Sequence, residues 1–224
     1  MKKLFITGNW KSNKTIEEAD QWVAGFANLY KKKSIKQEIH IILCVPFTLL
    51  YFLKQKIQKL SLPISIGAQD ISQFGDGAYT GAVSARQLRD IVDWVIVGHT
   101  ERRRYFGETD EMLQHKVMQA HEHGINVIYC VNDETLPVPP KVSIISYEPN
   151  WAIGTGHSDN PVHANRIINV IKKKSGVDVA IYGGSVTPHN VKLFVDQPEI
   201  SGVLPGGASL DPQKFFDLII GASS

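Results

Sequence analysis

Cysteine, net charge and long apolar runs are all scarce in this sequence, and each shortage excludes a class of protein. The 224 residues include two cysteines, Cys44 and Cys130, which lie within or at the end of apolar segments. This placement predicts reduced, partly buried thiols and not a disulfide framework. The formal net charge of +2 is too small to indicate a nucleic-acid partner or a membrane surface. The longest apolar stretch, Ile41 to Leu53, is interrupted by Pro46 and is shorter than the roughly 20 residues that a membrane-spanning helix requires.

Two further absences narrow the chemistry and the location. No group of His, Cys and carboxylate residues has metal-ligand spacing, and no Ser-His-Asp arrangement is recognisable, so we expect no metal ion and no serine nucleophile. The basic start of the chain is followed only by Leu4-Phe5-Ile6 before a polar break, which is too short for a secretory signal. We therefore expect a cytoplasmic protein.

Short β-rich runs alternate with helical patterns along the whole chain. Several runs are continuously apolar, which is typical of parallel strands covered on both faces. The predicted strands are Leu4–Thr7, Ile39–Val45, Ile64–Ala68, Trp94–Val97, Asn126–Cys130, Val142–Tyr147, Val179–Tyr182 and Gly202–Leu204. The predicted helices are Ile16–Lys32, Leu49–Lys59, Ala85–Ile91, Glu108–His123, Pro161–Lys174, Pro188–Asp196 and Pro212–Ile220.

This alternation predicts an α/β protein, and eight strands favour one closed (β/α)8 barrel domain over residues 1–224. An open doubly wound sheet is the alternative, but it would carry a Gly-rich phosphate turn after its first strand. Gly8-Asn9-Trp10-Lys11 follows that strand here and is no such turn. One crossover departs from the pattern, because Val131 to Lys141 contains three prolines and no helical period. We expect the helix between strands five and six to be missing or strongly shortened.

Chemically active side chains follow the carboxyl ends of the predicted strands, where a (β/α)8 barrel builds its active site. Glu148 ends the sixth strand and precedes an apolar, Gly-tipped loop, as expected for a general base beside a closing loop. His99 follows the fourth strand, and a neutral ring there could donate a hydrogen bond to a substrate carbonyl. Lys11 and Asn9 follow the first strand, and the lysine supplies positive charge for a developing oxyanion. Each residue alone also has an ordinary structural explanation, so the prediction rests on their convergence.

Glycine pairs follow the seventh and eighth strands, where barrels of this kind commonly hold phosphate. Small residues allow backbone N–H groups to approach an anion closely. The four candidate donors are the N–H groups of Gly154, Ser185, Gly206 and Gly207.

The stretches that contain these residues closely resemble those of the triosephosphate isomerase family, in the same order over nearly the whole chain. They are Gly8-Asn9-Trp10-Lys11, Gly77-Ala78-Tyr79-Thr80-Gly81, Gly98-His99-Thr100-Glu101-Arg102-Arg103, Tyr147-Glu148-Pro149, Trp151 to Gly156, Tyr182-Gly183-Gly184-Ser185-Val186 and Gly206-Gly207-Ala208-Ser209-Leu210.

The resemblance implies a TIM barrel that interconverts dihydroxyacetone phosphate and D-glyceraldehyde 3-phosphate through an enediol(ate), a step of glycolysis and gluconeogenesis. Glu148 would transfer the carbon-bound proton and His99 would polarise the carbonyl, while Lys11 and Asn9 would stabilise the oxyanion. The loop Pro149–Thr155 would close on the phosphate of this small phosphorylated triose. No cofactor is implied, because proton abstraction beside a carbonyl requires only a base and an electrophile.

The resemblance also implies a homodimer, in which the loop from Asp70 to Val83 carries Thr80 into the neighbouring subunit's site. Archaeal members also shorten the fifth crossover and form tetramers, so a tetramer stays open. Five residues depart from the family pattern. Asn150 replaces an apolar residue in the hinge of the closing loop, Ala82 replaces a glutamate, and Thr100 replaces a serine. Near the eighth strand, Pro205 replaces a valine and Ser201 replaces an aspartate.

Two other functions are compatible with such a barrel. One is a catalytically impaired barrel that acts as a phosphate-ligand binder or an interaction scaffold, and the intact set Lys11, His99 and Glu148 argues against it. The other is a different phosphate-binding barrel enzyme, such as one of indole or tryptophan synthesis. The loop motif after Glu148 argues against that class.

Overall fold

The protein is a closed barrel of eight parallel strands in which each strand pairs with its neighbours in chain order and β8 returns to β1. The computed structural model describes residues 2–33, 39–152 and 156–223. The strands are β1 (Leu4–Asn9), β2 (Ile39–Val45), β3 (Ile64–Ala68), β4 (Trp94–Val97), β5 (Asn126–Val131), β6 (Ile144–Tyr147), β7 (Ala180–Tyr182) and β8 (Gly202–Val203). The predicted (β/α)8 barrel is therefore confirmed.

Helices connect most of the strands on the outside of the barrel. Within the described residues the α-helices are α1 (Ile16–Lys32), α2 (Phe47–Lys59), α3 (Ala85–Leu88), α4 (Thr100–Phe106), α5 (Asp110–Glu122), α6 (Pro161–Ser175), α7 (Val191–Val195) and α8 (Pro212–Ala222). Their starts follow the usual capping chemistry, in which a side-chain oxygen accepts a free N–H of the first turn. Thr15 forms a capping box with Glu18, and Asp211 caps α8 ahead of a proline at its first turn.

Side chains of the strands alternate between two apolar layers, one inside the barrel and one beneath the helices. In β2, Ile42 and Cys44 belong to the interior layer, whereas Ile41, Leu43 and Val45 pack in the outer layer. The alternation follows from the two-residue period of a strand. Because both layers are dry, β2 is apolar at every one of these positions, as a parallel strand should be.

The crossover between β5 and β6 has no helix, as the sequence predicted, and residues 132–143 are all described. Leu136, Val138 and Val142 are partly buried and pack against the outer core layer. Lys174, at the end of α6, donates from Nζ to the carbonyl oxygen of Glu134 at 2.9 Å. A proline-rich segment of turns and bends therefore covers the flank that a helix would otherwise cover.

Several predicted boundaries are corrected by the structure. The segment after His99 forms a full helix, α4, which ends at Gly107 in the left-handed region (φ 66°), so the next helix begins at Asp110 and not at Glu108. α7 begins at Val191 and not at Pro188, because Asn190 Oδ1 accepts from the Thr187 N–H and holds the preceding residues in a turn.

No helix in the described part of the chain is both long and apolar enough to cross a bilayer. Cys44 and Cys130 are free thiols, and both are fully buried in the barrel interior, deeper than the partial burial that we expected. Burial raises the pKa of both thiols, so both stay protonated.

We expect Leu136→Ala to lower the free energy of unfolding by about 1–3 kcal/mol, because it removes apolar contact from the segment that replaces the missing helix. Leu193→Ala is the matched control, since Leu193 is 58% exposed on α7. Urea unfolding at one fixed protein concentration measures both. Equal stability of the two variants would contradict the covering role of residues 132–143.

Candidate active site

The candidate side chains meet at one mouth of the barrel because all eight strands are parallel. Asn9 ends β1, His99 lies two residues beyond β4, and Glu148 directly follows β6. Gly183 follows β7 and Gly206 lies three residues beyond β8. The structure therefore brings together groups that are up to about 200 residues apart in the sequence.

Asn9 and Lys11 are held in place by a glutamine that the sequence analysis did not select. The Lys11 N–H donates to Asn9 Oδ1 at 3.0 Å, and Lys11 lies in the left-handed region (φ 52°), where a non-glycine residue is uncommon. Gln69 Nε2 donates to Asn9 Oδ1 at 3.2 Å and to the Lys11 carbonyl oxygen at 2.9 Å. Gln69 directly follows β3, and this place at the carboxyl end of a strand is the sequence feature that could have identified it as a site residue.

The Lys11 ammonium group forms an ion pair with the Glu101 carboxylate, and both side chains are partly exposed at the mouth. A Cβ added at Gly206 would lie 3.3 Å from Lys11 Cε and 3.9 Å from Lys11 Nζ. The lysine therefore lies directly against the turn after β8. Its charge is placed between the carboxylate of Glu101 and that turn.

His99 is fixed in one tautomer by the start of α4. It is the N-cap residue, and its Nδ1 accepts from the backbone N–H of Glu101 at 3.2 Å. A ring nitrogen that accepts a hydrogen bond carries no proton, so the proton of the neutral imidazole is on Nε2. Nε2 points to the Glu148 carboxylate, with Oε1 at 3.7 Å.

Glu148 is completely buried, and its two carboxylate oxygens have different surroundings. Oε2 accepts from the Thr100 N–H at 3.1 Å and from Thr100 Oγ1 at 3.0 Å. Oε1 has no partner of hydrogen-bonding geometry among the described residues, although the buried Cys130 thiol lies close to this carboxylate. A Cβ at Gly183 would lie 2.7 Å from Glu148 Cγ, so only glycine at 183 leaves room for this carboxylate.

The turn after β8 is fixed from below by two tryptophans. Trp10 Nε1 and Trp22 Nε1 each donate to the Ser209 carbonyl oxygen at 3.0 Å, and both indoles are buried. Gly206 and Gly207 lead into a short 3-10 helix, Gly207–Ser209. A Cβ at Gly207 would meet no atom within 4 Å, so this turn faces open space.

An open cavity of about 610 Å³ lies at the mouth, within the usual range for small-molecule sites. Lys11, His99, Ser185, Gly206 and Gly207 line it, as do the partly exposed residues further along the β7–α7 loop. Asn9 (4% exposed) and Glu148 (0% exposed) are not on its wall and lie behind these residues.

Of the remaining predicted positions, the structure describes Ser185 and Asn150 but not Gly154. Ser185 Oγ donates to the Ala152 carbonyl oxygen at 2.9 Å, so the loop after β7 is tied to the segment after Glu148. Gly154, the fourth candidate donor, lies outside the described residues. Asn150, which replaces an apolar residue of the family pattern, accepts from Asn132 Nδ2 at 3.2 Å.

A buried carboxylate with one unpaired oxygen, a neutral imidazole, an ammonium group and glycine turns at one barrel mouth can together carry out proton transfer on an anionic substrate. This combination defines a (β/α)8-barrel enzyme of the acid–base class. Among the described residues no cluster of three or more His, Cys, Asp or Glu side chains could hold a metal ion.

Comparison with known proteins agrees with this class. The sequence model of the triosephosphate isomerase family matches residues 4–138 and 134–222, and the two matches overlap within the crossover that has no helix. The triosephosphate isomerase of Trichodesmium erythraeum (strain IMS101) is 41% identical over 242 aligned residues, covering 98% of this chain and 99% of that protein. Those of Synechocystis sp. (strain ATCC 27184 / PCC 6803 / Kazusa) and Dictyoglomus turgidum (strain DSM 6724 / Z-1310) are 39% and 36% identical, each with 98% of this chain covered and with 98% and 99% of the relative covered.

The chain belongs to the triosephosphate isomerase family, and the resemblance seen in its sequence is confirmed. It is an isomerase, and its substrate class is the triose phosphates.

We expect Thr100→Val to lower the free energy of unfolding at neutral pH by about 1–3 kcal/mol, because it removes one of the two donors to a buried carboxylate while preserving shape. Thr100→Ser keeps the hydroxyl and should stay close to the original protein. Urea unfolding of both variants measures the difference. A valine variant as stable as the serine variant would show that the hydroxyl does not hold Glu148.

Proposed function

We propose that this chain interconverts dihydroxyacetone phosphate and D-glyceraldehyde 3-phosphate through an enediol(ate), with Glu148 as the base and His99 as the electrophile. One observation carries the proposal. The unpaired Oε1 of a buried carboxylate lies 3.7 Å from the Nε2 of a histidine whose tautomer is fixed, at a mouth that also holds Lys11. An isomerisation next to a carbonyl requires a base and an electrophile that lie side by side.

Glu148 would take the proton from one carbon of the bound triose and return it to the neighbouring carbon. Its Oε1 is the oxygen available for this, because Oε2 already accepts two hydrogen bonds from Thr100. Substrate that fills the mouth would also displace water from the reacting atoms. No cofactor is needed for a proton transfer of this kind.

His99 would donate its Nε2 proton to the substrate carbonyl oxygen and stabilise the negative charge that develops there. Lys11 and Asn9 would add a positive charge and an amide donor to the same oxyanion. Gln69 holds both of these residues and acts only by positioning them.

The phosphate would bind the N–H groups of Ser185, Gly206 and Gly207, beside the Lys11 side chain. The open space above Gly207 supports this placement, since an anion can approach the backbone there without meeting a side chain. Gly154 is proposed as a further donor from the family pattern alone, because it lies outside the described residues.

The second candidate function, an impaired barrel that only binds a phosphate ligand, retains no specific support. A binder has no chemical need for a buried carboxylate beside a fixed histidine, and burying such a group costs stability. A different phosphate-binding barrel enzyme is disfavoured by the family match.

We propose that the protein is a cytoplasmic homodimer of single-domain subunits, assembled through the loop that carries Thr80. This loop is exposed from Phe74 to Ala82 and has its own internal order. Phe74 and Tyr79 stack with ring centroids 4.2 Å apart, although they are 42% and 45% exposed. Two exposed aromatic rings on an ordered protrusion are typical of an interface. A tetramer is the alternative.

We expect Glu148→Gln to lower turnover by roughly 10²- to 10⁴-fold while leaving the affinity for inorganic phosphate largely intact, because only the base is lost. Gly206→Asp is the complementary variant, since it places a negative side chain at the anion site and should abolish phosphate binding. A coupled isomerase assay and a phosphate titration measure both. Near-normal turnover of the glutamine variant would remove Glu148 from the mechanism.

We expect the double variant Phe74→Ser, Tyr79→Ser to reduce the solution mass to that of the 24.9 kDa single chain, because it removes the exposed aromatic pair of the protrusion. Leu193→Ser is the control, since it removes an exposed apolar side chain from α7, four strands away around the barrel. Analytical ultracentrifugation at several concentrations gives the masses. A protein that sediments as a single chain before any substitution would refute the dimer.

A further inference from the structure

A histidine and an aspartate at the start of α6 form a close side-chain contact that the proposed mechanism does not use. His163 Nδ1 lies 2.8 Å from Asp159 Oδ2, and the two residues are one helical turn apart. The histidine side chain is 43% exposed, whereas the aspartate side chain is 5% exposed. The aspartate is thus a buried carboxylate, and the histidine that contacts it lies at the surface.

The second carboxylate oxygen of Asp159 is held by the backbone of the next residue. Its Oδ1 accepts from the Asn160 N–H at 2.7 Å, and Asn160 itself caps α6. A carboxylate buried to this extent is costly unless it is paired and hydrogen-bonded. Loss of the His163 contact would therefore favour movement of Asp159 toward water.

The backbone of Asp159 is directly connected to the loop after β7. Its N–H donates to Tyr182 Oη at 2.7 Å, and Tyr182 is the last residue of β7. A Cβ at Gly184 would lie 2.1 Å from that hydroxyl oxygen, so the phenol is in close contact with the glycine turn that leads to Ser185. Burial raises the pKa of Tyr182 to about 12, so the phenol stays neutral and continues to accept this hydrogen bond at neutral pH.

The tyrosine itself has little freedom to absorb a shift of Asp159. Its ring stacks on Phe194 with centroids 4.1 Å apart and an interplanar angle of 5°, and it is completely buried. The same loop is held on its other side by the hydrogen bond from Ser185 to Ala152. Both described ends of the β6–α6 connection are therefore bonded to the segment Tyr182–Ser185.

We propose that His163 is a positioning residue for the anion-binding turn, acting through Asp159 and Tyr182 on the backbone at Gly184 and Ser185. The proposal rests on the assignment of Ser185 and Gly206 to phosphate binding. His163 touches neither the substrate nor the reacting atoms. Its effect is on the binding of the phosphate and not on the proton transfer at Glu148.

The first test is a comparison of single variants. We expect His163→Ala to raise the dissociation constant for inorganic phosphate and the KM for dihydroxyacetone phosphate by roughly threefold to tenfold, with kcat changed less than about twofold. His163→Asn keeps an N–H donor near the position of Nδ1 and should restore both values. His115→Ala removes an exposed histidine from α5 and should change neither.

The second test is a double-mutant cycle with Tyr182→Phe, which removes the hydroxyl that accepts from Asp159. If His163 acts through this hydroxyl, His163→Ala should have little further effect on phosphate affinity in the phenylalanine background. A purely local role in the stability of α6 would lower phosphate affinity equally in both backgrounds. That result would overturn the proposal, as would unchanged phosphate affinity of His163→Ala in the original protein.

Gly206→Asp separates this proposal from the assignment of the anion site. Loss of phosphate binding in that variant, combined with no effect of His163→Ala, would leave the site in place and refute the role of His163. If Gly206→Asp binds phosphate normally, the anion site itself is wrong, and the proposal for His163 is overturned with it.

Discussion

The buried carboxylate of Glu148 is the interaction on which the rest of the site depends. Removing a carboxylate from water costs on the order of several kcal/mol, so its surroundings must supply donors and space. Thr100 supplies two hydrogen bonds to one oxygen, and the glycine at 183 leaves room for the side chain. The other oxygen is left without a partner among the described residues and faces His99. A buried acceptor without a partner lowers the stability of the fold. A general base, however, needs an oxygen that is free to accept a proton.

α4 connects this carboxylate to its surroundings, because the first N–H groups of the helix are divided between Glu148 and His99. The position of the helix is fixed by a buried ionic network on its far side. Arg102 contacts Asp70 and Glu108, and both of these carboxylates contact Lys116 on α5. Lys116 and Glu108 have only 5% and 1% of their side chains exposed, so breaking the network would leave uncompensated buried charge. The base of the proposed dimer loop, at Asp70, and the helix whose first N–H groups bind Glu148 and His99 thus contribute to one ionic cluster.

Sequence patterns predicted the fold well because a strand covered on both faces must be apolar throughout, which makes β2 and β5 easy to recognise. They also predicted the missing helix, since three prolines in one crossover allow no other outcome. They were less accurate where side-chain hydrogen bonds decide a boundary, as at Asn190 before α7. They missed Gln69 because a single amide after a strand has no distinctive spacing, and its role follows only from the closure of the barrel. The unequal surroundings of the two Glu148 oxygens were equally invisible, since they depend on Thr100, 48 positions away.

The loss of the fifth helix is compatible with an intact site because of where that crossover meets the mouth. The barrel is covered there by Leu136 and Val138, which pack on the outer layer and not among the residues at the mouth. This crossover also contacts the segment after Glu148. Asn132, the first residue after β5, donates a hydrogen bond to Asn150. The crossover groups that contact Glu148 come instead from Thr100 and His99 after β4 and from Gly183 after β7. The residues that cover the flank are therefore different from those that surround Glu148, so a shortened crossover can change the outside of the barrel without displacing this carboxylate.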